Sequence, residues 1–243
     1  MHVGTISEIT RHPVKSMRGE KVSETRVMNY GLYGDRSHAL IDEKESFLTI
    51  TQFPDMVTYK ASFDGPDSLT AFPEPIVTTM SGESYRWSDS EWLEEMEERS
   101  SKKLQKVSYH PEHVPTGAIE EANLLMVTDA SLEALSEAWG KHVDDRRFRP
   151  NLKLELNSQE AFIEQEWIGS TLQIGEHVKV MVTGPCERCM IITVDPESGL
   201  RQPDLLKRVA KHHRNHFGIY LRVIETGPIK IGDDVHLIDR DSL

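Results

Sequence analysis

Short runs in which apolar and polar residues alternate, rich in β-branched side chains and separated by Gly, Pro, Asp and Ser, recur along the whole chain. Residues 3–10 (VGTISEIT) are the clearest case, and residues 23–28, 37–42, 57–63, 69–72, 76–80 and 107–109 repeat the pattern. Alternation with period two turns one face of each segment inward, the mark of a half-buried strand. Strands this short and closely spaced close into barrels or sandwiches. Residues 124–128, 152–156, 171–174, 177–183, 190–194, 219–225 and 234–238 extend the pattern toward the C-terminus. Only three stretches carry helical spacing: 91–103, with Trp92, Leu93 and Met96 on one side and Ser90 or Asp89 placed to cap it, the segment from Asp129 with Leu132, Leu135, Ala138 and Trp139, and 203–212.

The expected fold class is mainly β with a few helices (α+β), a β-rich part over residues 1–100 followed by a second over 101–243. No alternating βαβ series occurs, and no glycine-rich loop of the dinucleotide or P-loop type, which disfavours nicotinamide and nucleotide enzymes. A formal charge of −12 opposes nucleic-acid binding, which draws on clustered Lys and Arg. No apolar run reaches the roughly 18 to 20 residues that span a bilayer, so no membrane span is expected. Two cysteines cannot build a disulfide framework, and MHVGTISEIT lacks the form of a signal peptide. A reducing, cytoplasmic setting is expected.

Both cysteines sit in GPCERCMIITVDP, as Cys186-Glu187-Arg188-Cys189. A lone Cys-x-x-Cys is compatible with a dithiol redox pair, with half of a zinc site completed by histidines, or with small buried hydrophobes. The run after Cys189 reads as a strand, so the helix N-terminus that activates thioredoxin-like pairs is missing. His212, His213 and His216 offer an i, i+4 pair, but a solvated or capping role is favoured over metal. Lys15, Arg36, Arg149 and Arg188 stand inside local patterns rather than basic runs, as isolated charges suited to a small anionic ligand. Arg149 and Asn151 of Phe148-Arg149-Pro150-Asn151 combine a planar five-donor fork with a mixed donor and acceptor, suited to a phosphate or a heterocycle edge.

Taken in series, these pieces resemble a known family. His12-Pro13-Val14-Lys15-Ser16 with Gly19, then Gly31-Leu32-Tyr33-Gly34-Asp35-Arg36, are similar to the opening motifs of the N-terminal β-barrel domain that precedes MOSC (molybdenum cofactor sulfurase C-terminal) domains. Phe148-Arg149-Pro150-Asn151, Cys186-Glu187-Arg188-Cys189, Asp195-Pro196 with Gly199, Phe217-Gly218 and Ile229-Lys230-Ile231-Gly232-Asp233 resemble the MOSC domain itself, in the right order. The branch most similar is the amidoxime-reducing one, which includes the mitochondrial amidoxime-reducing component.

The resemblance implies an N-terminal β-barrel-like domain over 1–100 packed on a MOSC β-barrel domain over 101–243, with a molybdenum cofactor (molybdenum–molybdopterin) held between them. It implies an oxidoreductase that reduces small N-hydroxylated compounds of the amidoxime or hydroxylamine type. Cys189 takes the place of the catalytic metal ligand, and Lys15, Ser16, Arg36, Arg149, Asn151, Glu187, Arg188 and Tyr220 take the cofactor-binding places. His12 departs from the usual Tyr, and Glu187 stands where relatives often have Ser. With only two cysteines the chain carries no four-cysteine ferredoxin domain, so electrons are expected from a separate ferredoxin-, flavodoxin- or cytochrome-type protein. The alternative is a cofactor-binding or sulfur-carrier module without turnover, holding a persulfide on Cys189 or Cys186.

Overall fold

The computed structural model describes residues 1–119 and 121–238. Seven strands close into a barrel: Leu152–Leu156, Leu124–Thr128, His216–Glu225, Val178–Glu187, Thr171–Ile174, Asp234–Ile238 and His2–Arg11, the last pairing back onto the first. All neighbours run antiparallel except Leu124–Thr128 and Leu152–Leu156, which are parallel. The fold is thus mainly β with a few helices, as the alternating runs predict.

Closure depends on the first strand. Its register onto Leu152–Leu156 slips between Ile6 and Glu8, a bulge that shifts the pleat and lets Ile6 and Ile9 both face inward three positions apart. Gly4 lies opposite Leu156 there, and a Cβ on it would stand 2.1 Å from the Glu155 carbonyl oxygen. No larger residue fits without parting the two backbones. Inside, Ile6, Ile9, Met126, Leu154, Val180 and Leu221 form one apolar core.

A second core holds Met17, Leu40, Ile50, Tyr59, Trp92 and Met96. It is framed by the sheet of Lys60–Phe63, Pro75–Thr78 and Ser84–Arg86, by the pair His38–Asp42 and Leu104–Ser108, and by the helix Ser90–Ser100. Trp92 and Met96, one turn apart, bury that helix, whose last turn ends on a left-handed Ser101. Asp89 precedes the helix but makes no cap bond; its carboxylate accepts from the Arg86 N–H instead. The helix Asp129–Trp139 is capped by Thr128, whose hydroxyl accepts from the Ser131 N–H, and ends on Gly140. A late strand, Gly227–Lys230, pairs with an early one, Glu24–Met28, and Asp234–Ile238 with His2–Arg11, so the chain's two ends are stitched together twice.

Three expectations need correction. Residues 69–72 form no strand, and residues 57–63 divide into the end of a 3-10 turn, Pro54–Thr58, and the strand Lys60–Phe63. The third matters more. Residues 190–194 are not a strand: Met190–Thr193 is a single 3-10 turn. Its apolar side chains separate into different cores, Ile192 with Phe148 and Phe217, Val194 with Met17 and Trp92. The Thr193 hydroxyl donates to the Met190 carbonyl at 2.7 Å, and Arg147 Nη1 donates to the Ile192 carbonyl at 3.4 Å. Tertiary anchoring of this kind overrides the β preference of the run. Among the described residues no helix is long and apolar enough to cross a membrane.

Candidate functional site

Three tight turns converge beside the end of the barrel. The first follows the strand His2–Arg11 and carries Lys15 and Ser16; the second is Gly34-Asp35-Arg36; the third follows the 3-10 turn Asp145–Arg147 and carries Arg149. Ser16 (φ 70°), Arg36 (φ 52°) and Arg149 (φ 56°) all occupy the left-handed backbone region. For a non-glycine residue that costs roughly 1–2 kcal/mol each, and such positions persist only where the surroundings over-determine them. Hydrogen bonds hold these turns: Lys15 N–H to the His38 carbonyl (2.8 Å), Arg36 N–H to the His12 carbonyl (2.6 Å), and Arg149 N–H to the Arg146 carbonyl (3.2 Å).

All three side chains line one cavity of about 410 Å³, shared with Asn151, Glu187, Arg188, Cys189 and Tyr220. Of the residues given cofactor-binding places only Lys15 is outside that wall. It is buried, with Nζ donating to the Ala118 carbonyl at 2.9 Å and lying 5.2 Å from the Phe47 ring. Arg149 Nη1 donates to the Met17 carbonyl at 2.8 Å. Asn151 bridges elements: Oδ1 accepts from the Leu125 N–H (3.1 Å), and Nδ2 donates to the Thr10 carbonyl (3.4 Å) and to Asp35 (3.1 Å).

Asp35 is the residue that sequence reasoning passes over. It is fully buried and accepts the His12 N–H at 2.7 Å, the Asn151 amide and the Arg36 guanidinium. Burial alone would push its pKa up, but Arg36 and the contacts from His12 more than offset this and hold it well below the usual carboxylate range. One buried anion thus sets the direction of two cavity residues, Arg36 and Asn151. The only sequence signal was an acid placed directly before an arginine in a glycine turn. Asn215 was also missed; its amide donates to the Arg188 carbonyl and its carbonyl accepts the Arg188 N–H, both at 2.7 Å.

The two thiols are unequal. Cys186 is buried and accepts from Arg188 Nη1 at 2.6 Å, and burial pushes its pKa up despite that guanidinium. Cys189 is exposed in the cavity wall. Both are free thiols. Among the described residues no three His, Cys, Asp or Glu side chains gather as a metal-binding group, so the zinc reading lacks its further ligands. His213 stacks on Phe162 with ring centres 4.2 Å apart, and His212 lies 3.3 Å from Arg208.

The cavity suits an anion carrying a soft metal. Arg36, Arg149 and Arg188 face it in a chain of net charge −12. Arg188 is nearly buried, its Nη2 donates to the Phe148 carbonyl at 3.1 Å, and its Nε has no partner among the described residues. A buried guanidinium N–H left unmatched marks an acceptor the protein itself does not supply. An exposed thiol supplies the soft ligand that transition metals prefer.

Two buried histidines next to these turns set a pH dependence. Burial, then the charge of Arg149, pushes His12 down to about 3, and burial pushes His38 down to about 4. Both folded values lie below the ordinary value near 6.5, so the unfolded chain binds more protons in between. Stability is then complete above about pH 6.5 and falls as the pH drops toward 4. Urea midpoints are expected to hold level from pH 7.5 to about 6.5 and then fall toward pH 4.5, and His12→Gln is expected to flatten the profile. An unaltered slope in that variant would exclude His12 as its source.

Residues 105–236 match the family model described as the MOSC domain, and residues 3–88 match that of the MOSC N-terminal beta barrel domain. The chain is 27% identical to mitochondrial amidoxime-reducing component 1 of Xenopus laevis, over 98% of this chain and 83% of that protein. It is 28% identical to mitochondrial amidoxime reducing component 2 of Homo sapiens, over 96% and 83%. It is 26% identical to molybdenum cofactor sulfurase of Drosophila grimshawi, over 88% of this chain and 31% of that protein. The solved YuaD protein of Bacillus subtilis shares the fold, with a TM-score of 0.51 at 12% identity, covering 98% of this chain and 97% of that one.

Proposed function

The chain belongs to the MOSC domain family and carries the N-terminal MOSC β-barrel domain, and from this we propose that it is a molybdenum-cofactor-dependent reductase of small N-hydroxylated compounds. The observation that carries the reading is the exposed Cys189 thiol in the wall of a cavity that also presents three guanidinium groups. The names of the amidoxime-reducing relatives supply the substrate class.

In this reading Cys189 ligates molybdenum, and Ser16, Arg36, Arg149, Asn151, Arg188 and Tyr220 hold the pterin and its phosphate, with Glu187 bordering it and Lys15 buried behind the wall. When bound, the cofactor supplies a two-electron redox centre, and the protein supplies binding and orientation. Arg36 and Arg149, on turns of fixed left-handed geometry, neutralise the phosphate through charge-assisted hydrogen bonds, and Ser16 adds a directional one. Asp35 keeps Arg36 aimed. The Tyr220 hydroxyl stays protonated, because burial raises its pKa, and so acts as a donor at the Cys186 side of the cavity. Overall, the substrate N–O bond breaks, two electrons and two protons are consumed, and the oxygen leaves as water.

The electrons come from a separate ferredoxin-, flavodoxin- or cytochrome-type protein. Two free thiols suit a reducing compartment, and the cytoplasm is the proposed location. The division into residues 1–100 and 101–243 is part of the same proposal. Protein produced in a cofactor-competent host is expected to hold close to one molybdenum and one pterin per chain and to reduce benzamidoxime with a reconstituted electron carrier. Absence of molybdenum would refute the reading. Molybdenum without turnover would favour a cofactor-binding or sulfur-carrier module.

A further inference from the structure

Two carboxylates in the cavity wall contribute nothing to holding an anion: Glu121 and Glu187. The cavity is polarised. Arg36 and Arg188 are nearly buried, whereas Glu121, Glu187 and Cys189 are exposed. Most carboxylates near the adjoining turns are spent on the protein's own cations, as Asp35 is on Arg36, Asp144 on Arg146 and Asp195 on Arg147. Glu121 and Glu187 take part in no ion pair among the described residues, and the side chain of Glu187 meets only the Asn215 amide, at 3.4 Å. The charge of Glu121 reaches both Cys186 and Tyr220, adding to the effect of burial in raising each. Two uncompensated negative charges therefore stand at the exposed side of the cavity, beside the thiol proposed to hold the metal.

We propose that Glu121 and Glu187 are specificity-determining residues that select N-hydroxylated substrates bearing a positive charge, such as N-hydroxyguanidinium compounds and amidoximes with an ammonium group, over neutral and anionic ones. This rests on the reductase reading. A carboxylate at the mouth attracts a cation and repels an anion on approach and in the bound state. The same rim fits the product. An amidoxime takes two electrons from the carrier and two protons, its N–O bond breaks, water leaves, and the resulting amidine takes one more proton from solvent. The planar amidinium offers two parallel N–H donors to a carboxylate, a bidentate geometry.

The test uses three benzamidoximes that differ only at the para position: aminomethyl (cationic), methyl (neutral) and carboxylate (anionic). For the loaded wild-type enzyme kcat/KM is expected to fall from cation to neutral to anion by about fivefold per step at low salt, and less at high salt. Glu121→Gln and Glu187→Gln are each expected to lower the cationic substrate's advantage over the neutral one by about twofold, and the double variant by about fivefold. The molybdenum content of Glu121→Gln is expected to match wild type; a loss there would assign Glu121 to the cofactor and overturn the proposal. A charge-independent series would overturn it as well. Calorimetric titration with benzamidine against uncharged benzamide gives a readout without turnover, with tighter binding of the amidinium in wild type and not in the double variant. Equal binding of the two would count against the rim. Carboxylate-dependent benzamidine binding with no turnover of any amidoxime would sink the reductase reading and leave the cation-selecting rim standing.

Discussion

Cys189→Ala is expected to yield a folded protein without molybdenum, whereas Cys186→Ala is expected to keep much of the metal in a less stable fold. The asymmetry follows from burial. Cys189 is exposed and supports no packing, so its truncation is expected to change stability by no more than about 0.5 kcal/mol while removing the exposed one of the two thiols in the cavity wall. Cys186 is buried, and its sulfur accepts from Arg188 Nη1. Alanine there strands a guanidinium N–H, at a cost of about 1–3 kcal/mol, and loosens a cavity residue without touching the ligand. Metal analysis together with urea unfolding of both variants separates the two effects. Equal loss of molybdenum at equal stability would restore a symmetrical dithiol.

Asp35→Ala is expected to produce the largest loss of stability of any single change at the site, about 3–5 kcal/mol, because it leaves the buried Arg36 charge uncompensated. The His12 N–H and the Asn151 amide lose their acceptor at the same time. Since the folded carboxyl titrates below its ordinary range, its contribution is complete at neutral pH and above the unfolded value, and is lost only as the pH falls through the folded one. The full deficit is therefore expected at pH 7. Asp35→Ala combined with Arg36→Ala is expected to recover part of it, since the stranded charge is then gone. A single-variant loss below about 1 kcal/mol would show that Asp35 does not organise the turns.

What was legible in the sequence was periodic or local. Residues 3–10, 152–156 and 171–174 alternate because each has one wet face, and all three are strands of the barrel. The run after Cys189 failed the same test of pattern. Its β-branched residues are apolar because two cores each claim part of them, and period two cannot express that. Site residues emerged as isolated cations in short motifs, and the cavity gathers all of them except Lys15. Asp35 could not be read the same way, since the Asn151 amide that it accepts lies 116 positions further along the chain. Nor could the left-handed backbone at Ser16, Arg36 and Arg149, where no glycine announces it.

The double stitching of the chain's ends bears on when this protein acquires its structure during synthesis. The strand His2–Arg11 is made before both of its barrel partners, Leu152–Leu156 and Asp234–Ile238. Glu24–Met28 likewise waits for Gly227–Lys230. Pairings this distant carry a large loop-closure entropy before they return any contact, which places folding among the slow, high-contact-order cases. The turns carrying Ser16 and Arg36 acquire their wall partners Arg149 and Cys189 only once both halves have been made.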